Sequence, residues 1–288
     1  MPADLIAAPG ADRAGVPVRR IQPSRRFVPI DFRELWHFRE LLYFLVWRDV
    51  KARYKQTFLG PLWAILRPLI LMVIFSIIFG RLAGIEPGSG VPYPLFVFAG
   101  LLAWLYVSLA LVGGSFSIVN NSNLVAKAYF PRLFAPIAAV AAPVVDLVLS
   151  LTVLLGLFVW YGERPGPLVV LLPVFLLLAF LLALGVSLWL AGATISYRDV
   201  SFALPFLTQL WMYATPVIYP VTFVPEEWRW LLELNPATAV VEGFRWSLLG
   251  TEAPSALALA SSAGFAFVLV AGGAYFFRSS ERTLADMM

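Results

Sequence analysis

The sequence has no cysteine and a single histidine, His37, among its 288 residues. Without cysteine the chain can form no disulfide and can perform no thiol chemistry. The cysteine count therefore does not indicate whether the protein works in an oxidising or a reducing compartment. One histidine with no second histidine makes a poor metal site. A Gly-Lys dipeptide is also absent, so a phosphate-binding P-loop cannot be written on this chain.

Charge is scarce as well. Asp, Glu, Lys and Arg make up 13% of the residues, whereas a soluble domain carries about 25%. Hydrophobic residues make up 60% of the chain, and the mean hydropathy is +0.83. This composition predicts an all-α polytopic membrane protein.

Six segments are long and apolar enough to cross a hydrocarbon core of roughly 30 Å, which takes about 20 residues of helix. They lie at about 62–80, 94–119, 133–161, 168–196, 200–220 and 255–277. Six crossings put both termini on one side. If that side is the cytoplasm, the inner segments hold 17 of the 21 Lys and Arg, as the positive-inside rule requires.

The N-terminal region divides into two parts. Residues 1–30 are rich in Ala, Pro and Arg and predict a disordered cytoplasmic tail; no cleaved signal peptide is expected. Residues 31–55 predict an amphipathic helix in the headgroup plane, begun by a capping box from Asp31 to Glu34. Its apolar side chains fall at helical spacing on one side: Phe32, Leu35, Trp36, Leu42, Tyr43 and Val46.

Two connections between spans are too structured for plain loops. The inner one, 120–132, begins with an Asn/Ser run that offers helix N-caps, and Pro131 ends any short helix there. The outer one, 221–250, holds two pieces, Glu226–Leu234 and Ala237–Leu249, each too short to span. Paired re-entrant helices before the last span fit this pattern. Two helices lying flat on the outer surface are the alternative.

Few residues qualify as chemical sites. Asp146 is the only charge in the third predicted span, three residues after a helix-loosening proline, Pro143. An intramembrane carboxylate is costly and suggests function, and a hydrogen-bonding role in the bundle is equally open. Aromatic side chains near the predicted outer ends fit either a sugar-stacking exit or ordinary belt anchoring. The candidates are Tyr213, Tyr219, Trp228, Trp230 and Trp246.

No catalytic set emerges, because His37 lies far from any plausible Ser-His-Asp arrangement and the loops lack a clustered acid pair. Three stretches, however, resemble one family: Arg48–Pro68, Asn121–Leu147 and Thr215–Gly250. Together they resemble the membrane subunit of ABC-2-type polysaccharide exporters, the O-antigen and related glycan permeases. The resemblance covers about residues 31–280, leaving 281–288 as a cytoplasmic C-terminus.

The resemblance implies a non-enzymatic transport subunit of the cytoplasmic (inner) membrane. It implies a homodimer with two separate ATPase subunits, which bind ATP and Mg²⁺ while this chain carries no cofactor or metal. A lipid-linked glycan and membrane lipids are the other implied partners, and nucleic acid is not one. The expected ATPase-coupling residues are Asn121, Asn123, Lys127, Tyr129, Arg132 and Asp199; Asp199 fits a local ion pair with Arg198 or a docking contact.

By the same resemblance, four cations at the inner mouth are candidates to attract a lipid pyrophosphate: Arg48, Lys51, Arg53 and Lys55. Anchoring by the positive-inside rule explains most of them. The alternatives are an ABC-2 exporter of a lipid or drug, a membrane-embedded glycosyltransferase and, more weakly, an ion channel. The glycan stays open, although the inner-loop stretch looks most like the O-antigen group.

Overall fold

The computed structural model describes residues 36–55, 59–88, 90–122, 131–197 and 199–287. The predicted tail and the capping box at 31–34 lie outside these residues. Every regular element within the described ranges is helical. The α-helices are α1 (Arg39–Tyr54), α2 (Leu62–Phe75), α3 (Tyr93–Ser115), α4 (Ser117–Asn120), α5 (Phe134–Ala141), α6 (Val144–Tyr161), α7 (Leu172–Ser196), α8 (Val200–Ala214), α9 (Glu226–Leu234), α10 (Thr238–Leu249) and α11 (Ala256–Met287).

Among the residues that the structure describes, five stretches of helix are long and apolar enough to cross a membrane. They are Leu62–Leu82, Tyr93–Ser115, Phe134–Tyr161, Val169–Thr194 and Ala256–Ser280. In the first, a π-helical turn from Ser76 to Leu82 extends α2. Each stretch overlaps one of the predicted spans, so the prediction of an all-α protein with several membrane spans is confirmed.

The fifth predicted span, 200–220, differs from the others. Its helix, α8, has 15 residues and a length of about 22 Å, short of the roughly 30 Å core. The helix ends at Ala214 because the residue before Pro216 is disfavoured in helical conformation. A sixth crossing therefore stays a prediction.

The third predicted span, 133–161, is two helices rather than one. α5 ends at Ala141 and α6 begins at Val144, with Pro143 at the N-cap position of α6. Proline lacks the N–H that a continuous helix would need. The break places Asp146 in the first turn of α6, where the helix dipole favours a carboxylate.

The core is built around α3, most of whose residues are buried. α3 packs against α2, α5, α6, α7 and α10, and α7 packs along α11. Small residues allow the last contact: a Cβ on Gly185 would lie 2.7 Å from Leu269, and a Cβ on Gly273 would lie 2.9 Å from the Gly185 carbonyl. Close backbone approach through glycine is a recognised way for membrane helices to pack.

α1 does not divide into the two faces that the sequence predicted. Leu45 and Val50 are buried where α1 packs against α5. Trp36 and Tyr43, which were predicted to share a face with Leu42, are 72% and 65% exposed, whereas Leu42 is half-buried. The turn at Phe38 interrupts the helix just before α1. Residues on either side of the turn therefore do not share the one continuous helical spacing from which the faces were predicted.

The two short outer pieces are present as α9 and α10, within one residue of their predicted bounds. We call them the α9–α10 hairpin. The last helix is longer than predicted. α11 continues through the segment 281–287 that was assigned to a separate C-terminus, because no proline or glycine interrupts it there.

Candidate functional site

Asp146 is held by the end of α1. Its Oδ2 lies 2.5 Å from Nη1 of Arg53, and its Oδ1 accepts a hydrogen bond from the Tyr54 hydroxyl. The carboxylate is nearly buried, at 9% exposure. Burial and the hydrogen bond to Asp146 raise the pKa of Tyr54, so the phenol keeps the proton that it donates. The structure thus joins two separately predicted site residues, Arg53 and Asp146.

A second contact fastens α6 to α2 beside this ion pair. The Ser150 hydroxyl lies 2.8 Å from the carbonyl oxygen of Ala64 and 2.9 Å from that of Asp146. One hydroxyl can donate to either carbonyl but not fully to both. The α6 face that carries Asp146 is therefore tied to both α1 and α2.

These contacts border a cavity of about 200 Å³ between α1, α2, α3 and α6. Its polar lining comes from Arg53, Tyr54, Arg67, Tyr106, Asp146 and Ser150, and the remainder is largely apolar. Arg67 has no ion-pair or hydrogen-bond partner among the residues that the structure describes. The arrangement offers a free guanidinium at the edge of an apolar space, which suits an anionic group on an apolar molecule.

The other three predicted inner-mouth cations point elsewhere. Arg48 pairs with its neighbour Asp49 at 2.7 Å. The Lys51 ammonium lies 5.4 Å from the centroid of the Trp47 ring, a cation–π distance. Lys55 is exposed. Of the predicted set, the structure places Arg53 on the cavity.

At the α9–α10 hairpin, Asn235 makes a compact hydrogen-bond network with the end of α8. Its Nδ2 donates to the Ala214 carbonyl at 3.1 Å and to the Thr215 hydroxyl at 2.9 Å. Its Oδ1 accepts from Trp211 Nε1 at 2.9 Å and from the Ala237 amide at 3.1 Å. One side chain therefore fixes the link between α9 and α10 and ties it to α8.

The other side of that link contacts α11. The Ser261 hydroxyl donates to the Glu233 carbonyl at 2.6 Å, and the Ser262 hydroxyl donates to the Pro236 carbonyl at 2.8 Å. Glu233 lies in the last turn of α9 and Pro236 lies just beyond it, where backbone carbonyls lack helical donors. The hairpin is thus attached at its turn to two different helices.

Arg245 of α10 is the most deeply buried charge that we observe, at 2% exposure. Its guanidinium donates to the carbonyls of Phe96, Pro216 and Val217 at 3.2, 2.6 and 2.5 Å. The guanidinium carbon lies 3.6 Å from the centroid of the Phe96 ring. Burial lowers the pKa of Arg245, and the nearby Glu242 opposes that shift.

The predicted exit aromatics come together only in part. The Tyr219 hydroxyl donates to the Tyr213 carbonyl at 3.0 Å. Trp228 and Trp230 on α9 are both about half exposed. Trp246 packs edge-on against Phe175 of α7, with ring centroids 6.1 Å apart. The five residues therefore do not form one aromatic cluster.

Three of the six predicted coupling residues, Asn123, Lys127 and Tyr129, lie outside the described residues, as does Arg198 beside Asp199. Asn121 Nδ2 donates to the Ser117 carbonyl at 2.7 Å. Arg132 is half-buried, and Asp199 is exposed at the start of α8. Their role in coupling stays a prediction.

A family model described as ABC-2 type transporter matches residues 40–249, which include α1, the cavity and the hairpin. The chain belongs to the ABC-2 type transporter family. It is therefore a multi-pass membrane protein of a transporter family.

Among its relatives, this ABC-2 chain is 32% identical over 257 residues to the O-antigen export system permease protein RfbA of Myxococcus xanthus, covering 88% of this chain and 97% of that protein. It is 26% identical over 249 residues to the polysialic acid transport protein KpsM of Escherichia coli, covering 82% and 92%. It is 26% identical over 231 residues to the inner membrane transport permease YadH of Escherichia coli K12, covering 73% and 85%.

Sequence reasoning missed three residues of this ABC-2 chain that the structure singles out. Arg67, Arg245 and Asn235 were not among the predicted site residues. An arginine among the mostly apolar residues of α10 is the one signal that would have pointed to Arg245.

Proposed function

We propose that this chain is the membrane subunit of an ABC transporter that exports a lipid-linked cell-surface polysaccharide of the O-antigen type. The supporting observation is its 32% identity to a protein named O-antigen export system permease, across 97% of that protein. The similarity to a protein named for polysialic acid transport supports the same class of cargo. The chain itself catalyses no reaction in this proposal.

We infer that a second copy of the chain completes the transport path. α8 exposes an apolar face along one side: Phe202, Phe206, Leu210 and Tyr213 are between 48% and 83% exposed. Their spacing of about four residues places them in one row. A row of large apolar side chains needs either lipid or a second protein surface, and a homodimer with α8 near its interface supplies the latter.

Energy for transport comes, in this proposal, from two separate ATPase subunits that bind ATP and Mg²⁺. They contact the coupling region 120–132 and the start of α8 at Asp199. The excess of Lys and Arg on the inner segments supports cytoplasmic termini and an inner-membrane location. The domain division follows: a tail at 1–30, an interfacial helix at 31–55 and re-entrant helices at 221–250 within the membrane domain of 31–280.

The cavity bordered by α1, α2, α3 and α6 is the proposed binding site for the lipid phosphate. Arg67 and Arg53 supply positive charge, and the apolar lining suits the adjoining lipid. Asp146 then has two roles: it holds Arg53 in place, and it lowers the net positive charge of the cavity that binds the ligand. The α9–α10 hairpin lies, in the same proposal, at the outer end of the path.

The experiment uses inside-out membrane vesicles that contain the chain with its ATPase partner and a labelled lipid-linked glycan. The glycan should become protected from an added glycosidase in the presence of ATP, and should stay sensitive with a non-hydrolysable analogue. An Arg67→Gln variant should lower the rate of protection, whereas the matched control Arg81→Gln should not. If the glycan stayed equally sensitive to the glycosidase with and without ATP, glycan export would be contradicted.

A second candidate is export of a lipid or drug by the same fold. It is favoured by the similarity to YadH, whose name specifies no cargo. The same vesicles test it, because a fluorescent phospholipid or drug would then be sequestered with ATP while the glycan stays exposed.

A further inference from the structure

Arg245 makes the contact by which the α9–α10 hairpin reaches α3. Asn235 and the serines of α11 attach the turn of the hairpin to α8 and α11. Arg245 lies ten residues further along, on α10, and donates to one carbonyl of α3 and two carbonyls beyond α8. The hairpin is therefore attached at its turn by neutral groups and along its length by a cation.

Two of the three acceptors of Arg245 are carbonyls that helical bonding leaves available, and the third, that of Phe96, lies within α3. Pro216 and Val217 follow the end of α8 at Ala214, so their carbonyls have no continuing helix to donate to them. A guanidinium carries five N–H donors in a planar fork, and it can serve several acceptors at once. One side chain thereby joins three elements.

A glycine on α3 leaves the space that this guanidinium occupies. Gly100 lies where a Cβ would be 2.6 Å from Nη2 of Arg245 and 2.9 Å from the Val217 carbonyl. Any larger residue at this position would displace the guanidinium or the segment after α8. The arginine on α10 and the glycine on α3 therefore form a matched pair, although they are far apart in the chain.

The absence of a carboxylate partner for Arg245 among the described residues also permits release of its contacts. Within the described residues its nearest polar partners are neutral carbonyls, and no carboxylate lies within ion-pair distance. Separating it from them exposes one cation to water and leaves no buried opposite charge behind. Opening a buried ion pair would instead leave two charges to be solvated.

We propose that Arg245 is a positioning residue that keeps the α9–α10 hairpin closed against α3 and the segment after α8 in the resting transporter. This inference rests on the proposed function only in placing the hairpin on the transport path. Cargo passage then requires the Arg245 contacts to be released, and the hairpin moves away from α3 while its turn stays attached.

The absence of cysteine makes the test direct, because a single introduced thiol is the only one in the chain. Ser247→Cys places a near-isosteric thiol on α10 at a position with 0% exposure. The whole complex in sealed membranes, without ATP, is treated with a membrane-impermeant maleimide. Arg245→Lys and Arg245→Gln should each raise the labelling rate by about tenfold or more, as expected when a local opening becomes easier.

Gly100→Ala is an independent variant that displaces the guanidinium without altering its chemistry, and it should raise labelling too. Gly113→Ala is the matched control on the same helix, since its Cβ would come no closer than 3.4 Å to another atom. Leu154→Ala, in the buried core of α6, controls for general loosening. Both controls should label at the parent rate.

Unchanged labelling in the Arg245 variants and in Gly100→Ala would overturn the proposal. Equal labelling in Leu154→Ala would also overturn it, because the effect would then report overall stability. If the Arg245 variants fail to assemble, Gly100→Ala decides the outcome. The measurement needs no cargo, so a failure to find glycan export would leave its result intact.

Discussion

Arg53 and Arg245 each attach a helix outside the five candidate spans to the central bundle, but the groups that stabilise their charges differ. Arg53 faces the Asp146 carboxylate, whereas Arg245 faces backbone carbonyls and the Phe96 ring. An ion pair is a unit of two side chains that can be altered together. A cation held by carbonyls and a ring has no charged partner, so its loss cannot be compensated by removing an opposite charge.

The largest effect is expected at Arg245. Arg245→Met should cost about 3 kcal/mol of stability, because the buried carbonyls of Pro216 and Val217 lose their donor. Arg245→Lys should recover only part of the loss, since an ammonium cannot reproduce the planar fork. The midpoint of thermal unfolding, followed by tryptophan fluorescence, measures both. A midpoint for Arg245→Met equal to that of the parent would contradict the account.

Arg53→Met should cost about 2 kcal/mol, less than for a fully buried pair because the Arg53 side chain is 28% exposed. The loss comes mainly from leaving the Asp146 carboxylate without its cation. Adding Asp146→Leu should restore more than half of it, as a double-mutant cycle in the same unfolding assay would show. If the double variant lost as much stability as the two single variants added together, the proposed difference between Arg53 and Arg245 would be contradicted.

These two arginines also show what the sequence could predict. Asp146 was found because a lone carboxylate in an apolar span is conspicuous in any sequence, and its flanking Pro143 marked the break in the helix. Arg245 was missed because backbone carbonyls have no sequence signature, and a cation in the outer connection fitted ordinary charge counting. The positions of the hairpin helices were predictable from Asn235-Pro236 and from segment length.

Other parts of the fold depended on details that periodicity does not contain. The end of α8 at Ala214 follows from Thr215-Pro216, a signal that was present but outweighed by the apolar run through residue 220. The face of α1 depended on a turn at Phe38 that shifts the phase of the helix. Charge bias, by contrast, is a property of composition, and the orientation that it predicts stays a prediction.

Tyr54→Phe tests the weaker half of the Asp146 contact. Removing the hydroxyl should cost about 1 kcal/mol, since Arg53 still compensates the carboxylate. Tyr43→Phe on the same helix is the matched control, because Tyr43 is 65% exposed, and its unfolding midpoint should not move. Equal shifts in both variants would mean that the hydroxyl of Tyr54 contributes nothing specific.

The Arg229–Glu226 pair, whose carboxylate is exposed, supplies a baseline for the contacts of Arg53 and Arg245. It pairs with Glu226 at 3.4 Å, where the Glu226 side chain is 87% exposed, and it also donates to the Val224 carbonyl at 3.0 Å. Glu226→Gln should therefore change stability by less than about 0.5 kcal/mol. A loss above that limit would show that burial does not set the ranking of the three arginines.

Glycan export is tested most directly by depleting the protein in its host and analysing lipid-linked glycans on each side of the cytoplasmic membrane. The account predicts that the polymer accumulates on the inner leaflet and is lost from the cell surface. That result would also identify the glycan. Unchanged surface glycan, with no accumulation on the inner leaflet, would contradict the polysaccharide cargo and leave an ABC-2 transporter of a lipid or drug.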